Sequence, residues 1–286
     1  MSEPAPAPTR VGPPARRRRV RWAVLGPALV LGLFVLAALL PSAFSLGNDP
    51  QVCDLSRSVD PPSLQHPFGF SLFGCDYLAE TVHATRTSLA VAAITVLGTT
   101  LIGLVLGSVA GFYGGWVDLL ITRATDVWTA VPLLLGGIVV LSALQVRGVL
   151  SVSLVLLLFG WPAMVRLQRS SVMAAAAKEY VTAARALGAT PRRVLVKHVL
   201  PNAVRPLLAY ASAYAGLVIG VEATLTYVGV GLQQPVLSWG LLLLQAQNRL
   251  GQAPHLILPA VVLVVAVSSL VLLGQGLRTA TDPLER

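Results

Sequence analysis

Acidic side chains are scarce in this chain: 12 Asp and Glu stand against 21 Lys and Arg among 286 residues, and charged residues of both signs make up only 12%. That is too little polar surface to clothe a water-soluble domain, which excludes an ordinary soluble enzyme or binding module. Cysteine is limited to Cys53 and Cys75, too few for a closed zinc site and far short of a disulfide-dense scaffold. The histidines, His66, His83, His198 and His255, are scattered and read as solvated or interfacial side chains. There is no G-x-x-x-x-G-K-[ST] phosphate loop, no H-E-x-x-H pair, and no Ser, His and Asp set at a telling spacing. The chain therefore reads as non-catalytic, with no catalytic residue, cofactor site or metal site of its own. If ATP drives it, another chain binds the ATP.

What is abundant is apolar. Hydrophobic residues make up 55% and the mean hydropathy is +0.74. A helix needs about 20 mainly apolar residues to cross ~30 Å of hydrocarbon, and six windows qualify. They are Arg21–Phe44, Ser88–Phe112, Leu119–Leu144, Leu150–Leu167, Pro206–Tyr227 and Leu256–Leu277. The expected fold class is thus an all-α integral membrane protein with six transmembrane helices, kinked at Pro132, Pro162 and Pro259. Spans and short connections use up most of the chain, so no additional soluble domain is expected. The apolar stretch from Trp22 to Leu40 is too long for a signal-peptide core and reads as an uncleaved first span. It follows a basic, Pro/Ala-rich tail that reads as disordered. The divisions are residues 1–20 for the cytoplasmic tail, 21–85 for the first span and an extracytoplasmic segment, and 86–286 for the membrane core.

With the N terminus inside, every Lys and Arg except Arg57, Arg86, Arg147 and Arg249 falls on the cytoplasmic side. Both termini are therefore expected in the cytoplasm. The net charge of +9 is assigned to this topology and to anionic lipid headgroups. The Arg16 to Arg19 run directly abuts an apolar span, so no nucleic-acid partner is expected.

Cys53 and Cys75 share the long outer segment and are candidates for a disulfide, with two unpaired thiols as the alternative. Gly103, Gly107 and Gly111 form a G-x3-G-x3-G row, and Gly216 and Gly220 a shorter one. Such rows let helix backbones approach, either as fixed packing or as a sliding interface. Two acids fall at membrane depth, where a carboxylate needs a partner or a cavity. Asp126 is expected to pair with Arg123 one turn away, whereas Glu222 has no nearby base and is the candidate for the translocation path. No chain of acids and histidines suited to proton relay is visible.

The most informative stretch is a polar, basic interval, Lys178 to Arg205, between apolar spans. Ala174 to Leu187 are mostly helix formers and Gly188 suits the position just past a helix. Thr190 and Pro191 suit the start of a second helix, which Pro201 is expected to end. This interval resembles the EAA loop of the membrane subunits of binding-protein-dependent ABC importers. Ala183 and Ala184 match its alanines, Gly188 its glycine, and Leu200 and Pro201 its end. Thr182 stands where the family has Glu, with Glu179 three residues earlier as a substitute, and His198 stands at the family's Ile.

Further segments resemble the peptide branch of these permeases, which includes nickel importers, and its C component. They are His66-Pro-Phe-Gly69, Gly111 to Asp118, Glu222 to Gly231, Pro235, Ser238-Trp-Gly240, Leu273 to Arg278 and Asp282-Pro283. The resemblance departs at Phe70-Ser71 and Gly74-Cys75, where only Asp76 of the family's outer polar residues persists. It implies a type I importer permease (MetI-like) fold that pairs with a homologous permease. It further implies two cytosolic ATPase subunits carrying ATP and Mg, and an extracytoplasmic substrate-binding protein. The 174–202 loop would be the ATPase-coupling element. Peptides are the expected cargo, with nickel chelates, opines or glutathione as alternatives. A secondary transporter and an ATPase-energised scaffold are the remaining readings, and neither an inverted repeat nor a large outer domain supports them.

Overall fold

The computed structural model describes residues 15–281, with side chains over residues 24–279. The tail residues 1–14, the Asp282-Pro283 pair and Arg286 lie outside the described residues. Helix α1 covers Ala15–Leu39, so it begins within the stretch expected to be tail. It is followed by α2 (Tyr77–Tyr113), α3 (Gly115–Thr129), α4 (Leu133–Ala143) and α5 (Val149–Ala176). The remainder are α6 (Glu179–Ala186), α7 (Pro191–Tyr227), α8 (Trp239–Ala246) and α9 (Leu258–Thr281). The described residues contain no β-strand beyond two isolated bridges.

Four helical stretches are long and apolar enough to cross a membrane: α2, α5, α7 and Pro254–Thr279. A fifth span is possible as the α3–α4 pair, which bends by 75° at its break. Pro132 lies at that break as the residue before α4, so the expected kink there is present. The other two prolines behave differently. α5 runs uninterrupted through Pro162, and Pro259 falls in the first turn of α9, where a missing N–H leaves no bond unmade.

The helices α2, α5, α7 and α9 pack together, α1 lies against α9 and α2, and α3–α4 leans on α5. Tyr77, Val91, Leu156, Met164, Leu207, Ile219, Leu225 and Trp239 belong to one continuous core. The glycine row sets how close α2 and α5 come. A Cβ added at Gly103 would lie 2.5 Å from the Met164 Cβ, at Gly107 2.7 Å from the Val165 carbonyl, and at Gly111 2.6 Å from the Arg169 carbonyl. The row is therefore a packing seam inside the chain. The shorter row is only half used: a Cβ added at Gly216 would lie 3.0 Å from the Val267 carbonyl of α9, while one added at Gly220 would have nothing within 4 Å.

Helix ends follow local chemistry. Asp76 caps α2, accepting from the Ala79 N–H at 2.8 Å, and it also holds Asn48 Nδ2 at 2.8 Å and His66 Nδ1 at 2.6 Å. The capped helix begins at Tyr77, well before the apolar window, because Glu80, Thr81 and Thr85 turn into the core. Cys53 and Cys75 are joined by a disulfide, and the Asp54 N–H donates to the Gly74 carbonyl at 2.9 Å. The segment before α2 is thus folded back over the start of that helix.

Candidate functional site

The 174–202 interval forms a helix, a sharp turn and a second helix. α6 ends in a Schellman motif: the Gly188 N–H donates to Arg185 at 3.0 Å and the Ala189 N–H to Ala184 at 3.1 Å. Gly188 has φ +81°, a left-handed conformation that a side chain with Cβ resists, and a Cβ built there would have nothing within 4 Å. Its face is open rather than packed within this chain. Leu187 beside it is 88% exposed, an apolar side chain standing at the tip of the turn.

Beneath the tip, the segment carries its own small core of Val172, Ala175, Val181, Val194, Val199 and Ala203. Val181 points inward from α6, while Glu179, Thr182 and Ala183 are exposed and Ala184 is half-buried. Asn202 fastens the two arms by donating to the Tyr180 hydroxyl and to the His198 carbonyl, each at 3.1 Å. Sequence reasoning missed this clamp, since Tyr180 and Asn202 lie 22 residues apart. Thr190 sits at the N-cap position, but its side chain makes no capping bond.

Pro201 does not end the second helix, contrary to the reading of the sequence. A π turn over Leu195–Val199 precedes it, and the Leu200 N–H donates to the Leu195 carbonyl five residues back. The widened turn makes room for the proline ring, so α7 continues to Tyr227. Leu200 is half-buried and Pro201 exposed. A cleft of about 650 Å³ opens next to this junction, lined among others by Ser170, Lys178, Tyr180, Asn202 and Arg205.

Glu222 is fully buried and reaches no cleft surface. Its carboxylate accepts from the Thr226 hydroxyl at 2.9 Å and from the Ser88 hydroxyl at 3.4 Å. Those hydroxyls in turn receive the Leu232 N–H at 3.1 Å and the Trp239 N–H at 3.4 Å. In this structure Glu222 ties α7, α2 and the entry to α8 together, which is a locking position. Glu222→Gln keeps a group able to bond both hydroxyls and should transport normally across pH. Glu222→Leu strands both hydroxyls, at roughly 1–3 kcal/mol each, and should lower the detergent melting temperature. Equal melting of the two variants would refute the locking role.

Asp126 pairs with Arg166 of α5, not with Arg123. The Arg166 to Asp126 separation is 3.9 Å, with side chains 49% and 51% exposed. Arg166 also donates to the Thr125 carbonyl at 3.2 Å and to the Thr129 hydroxyl. Nearer the end of α5, Arg169 grips both oxygens of Asp118 at 2.5 and 2.6 Å. The sequence windows ended the fourth span at Leu167, which placed Arg166 at its edge. α5 instead continues ten residues beyond Arg166, to Ala176.

An all-helical chain with apolar bundles of this length, strung between short connections, defines a multi-pass integral membrane protein. The chain belongs to the family described as binding-protein-dependent transport system inner membrane component, whose model matches residues 103–286. Among its relatives is a glutathione transport system permease protein of Pectobacterium atrosepticum, 34% identical over 90% of this chain and 86% of that protein. A dipeptide transport system permease protein of Alkalihalophilus pseudofirmus is 30% identical, covering 93% and 87%. An oligopeptide transport system permease protein of Bacillus subtilis is 32% identical, covering 94% and 87%. A chain of the MetNI methionine ABC transporter in inward-facing conformations aligns with TM-score 0.56 at 19% identity, covering 71% of this chain and 96% of that one. This last likeness shows the shared fold.

Proposed function

We propose that this chain is one transmembrane subunit of an ATP-driven importer that moves peptides across the cytoplasmic membrane. The observation that carries the reading is membership of the permease family, joined by relatives named for dipeptide and oligopeptide transport. In this reading the chain makes six spans, with α1 as the first and the bent α3–α4 pair as the third. Both termini and the 174–202 segment face the cytoplasm, and the disulfide-bearing segment faces outward. The positive-inside distribution of Lys and Arg supports that orientation. Its partners are a homologous permease, cytosolic ATPase subunits that hold ATP and Mg, an extracytoplasmic binding protein, and lipid. This chain holds no cofactor.

The coupling residues are Glu179, Thr182, Ala183, Ala184, Gly188, Leu200 and Pro201. The open turn at Leu187 and Gly188 supports docking there, because an exposed leucine over a small-residue face suits a groove on another protein. ATP-driven closure of the ATPase pair then drags the two coupling segments together and tips the spans between inward-facing and outward-facing states. Shifting such an equilibrium from 1:99 to 99:1 takes about 5.5 kcal/mol of differential binding. A second reading, glutathione as cargo, is favoured by the Pectobacterium relative and keeps the same machinery.

The test is a mild-detergent pull-down of the tagged chain, with and without Gly188→Val. A β-branched residue at φ +81° costs about 1–2 kcal/mol and breaks the Schellman turn without touching the spans. The wild type should recover a P-loop ATPase and a second permease. The variant should keep the permease and lose the ATPase or its coupling to uptake. A chain that comes out alone would overturn the importer reading.

A further inference from the structure

The 174–202 segment joins the bundle at two ends that differ in stiffness. At one end α6 follows α5 across Ala177 and Lys178, and Lys178 is extended (φ −77°, ψ 146°), so the helix breaks there. At the other end the arm beyond Gly188 is the start of α7 itself, which runs from Pro191 to Tyr227 and buries Leu207, Ile219 and Leu225 in the main core. α6 hangs between the two with little to hold it. Val181 is its one buried residue, and it makes no ion pair among the described residues. Arg185 stands 5.7 Å over the Phe112 ring, near the limit of a cation–π contact. Its only side-chain hydrogen bonds among the described residues belong to Tyr180. The Tyr180 hydroxyl donates to the His198 carbonyl at 3.4 Å and accepts from Asn202, whose amide also donates to that carbonyl. The three bonds close a triangle between the first turn of α6 and consecutive turns of α7.

We propose that Tyr180 and Asn202 are positioning residues of the coupling loop: their triangle makes α6 one body with α7, so that motion of the ATPase is delivered to α7. An apolar contact such as that of Val181 lets a helix roll, because it has no preferred direction. Hydrogen bonds that converge on one carbonyl fix both distance and direction. With the triangle open, α6 turns about the Lys178 break and the Gly188 turn, and part of the ATPase stroke is lost in bending the loop. A net hydrogen bond shifts an equilibrium roughly two- to tenfold, so the loss reads as slippage and not as unfolding. This inference rests on the ATP-driven import reading above and adds to it the helix that receives the motion.

The experiment uses the complete importer with its binding protein in proteoliposomes and reads the ATP hydrolysed per labelled trialanine taken up. Wild-type uptake driven by ATP is expected, and its absence would sink the import reading and the role of the triangle with it. Tyr180→Phe and Asn202→Ala should each raise the ratio roughly two- to tenfold, with ATPase recovery and melting temperature like those of the wild type. The double variant should do no worse than the stronger single change, since either one opens the same triangle. With wild-type uptake in hand, an unchanged ratio, additive effects of the two changes, or a melting loss that tracks the coupling loss would each overturn the assignment.

A second measurement reads the joint itself and does not depend on uptake. The native cysteines are both in the disulfide, so Ala186→Cys and Leu208→Cys, at exposed positions on α6 and α7, supply a single pair of thiols for nitroxide labels. Pulsed electron paramagnetic resonance on the assembled importer should give a narrow distance distribution between them, which Asn202→Ala broadens. Equal widths with and without Asn202→Ala would mean that something else holds α6, and would overturn the proposal whatever the uptake assay gives.

Discussion

Gly107→Leu should leave a chain that inserts but no longer holds α2 against α5. An added Cβ at position 107 meets the Val165 carbonyl at 2.7 Å, the Gln168 Cβ at 2.8 Å and the Arg169 N at 3.0 Å. Two of those three atoms are backbone, which no rotamer change can move aside. Overpacking in a well-packed core costs typically 1–3 kcal/mol, and a leucine against a helix backbone belongs at or above the top of that range. Lipid offers no hydrophobic penalty for parting two helices, so nothing restores the contact once it is lost. Gln168 worsens matters, because it is fully buried with its amide donating to the Ser108 hydroxyl at 3.0 Å, and separation would strand that bond. The check is fluorescence-detected gel filtration and thermal melting in detergent, beside Gly220→Leu as a control with open space around it. A Gly107→Leu protein that elutes and melts like the control would refute the seam.

Trp239→Ala carries the second large effect. Trp239 is among the largest fully buried side chains; its indole N–H donates to the Thr81 carbonyl at 3.2 Å, and its ring meets Phe34 edge-on at 5.8 Å. It anchors α8, whose Ser238 cap accepts from the Leu241 N–H at 3.2 Å. Truncating a buried Trp to Ala costs about 3–5 kcal/mol. The expected outcome is a lower melting temperature together with protease cleavage between residues 231 and 257, where the wild type should resist. Trp239→Phe keeps one aromatic ring while losing the indole hydrogen bond and part of the buried volume, so it should fall between the two. Unchanged proteolysis of the alanine variant would show that α8 is held by something else.

Much of this architecture was legible from hydropathy alone, because a ~30 Å apolar layer demands long apolar runs that little else produces. The turn at Gly188 was legible as well, since a glycine past a helix and a proline at the start of the next are local signals. Two of the misreadings depended on residues distant in sequence, and two on local features that patterns of propensity and hydropathy do not register. Asp126 looked bound to Arg123 because one turn separates them, but the bundle brings Arg166 across from another helix. Glu222 looked unpartnered because Ser88, its neighbour in space, is 134 residues away. The early start of α2 was hidden because Glu80, Thr81 and Thr85 are polar residues buried in a bundle, which an apolar window rejects. Pro201 failed as a stop signal because the π turn ahead of it cannot be seen in propensities.

The closed cysteine pair has a consequence for biogenesis. Cys53 and Cys75 are the only thiols in the chain, and their bond sits against the cap of α2. In the proposed orientation the bond closes only after this segment has crossed the membrane, on the side where no glutathione pool reopens it. A chain inserted upside down would keep both thiols reduced. The state of one sulfur pair, read by a gel shift after alkylation, would therefore record for each molecule whether insertion ran the right way round.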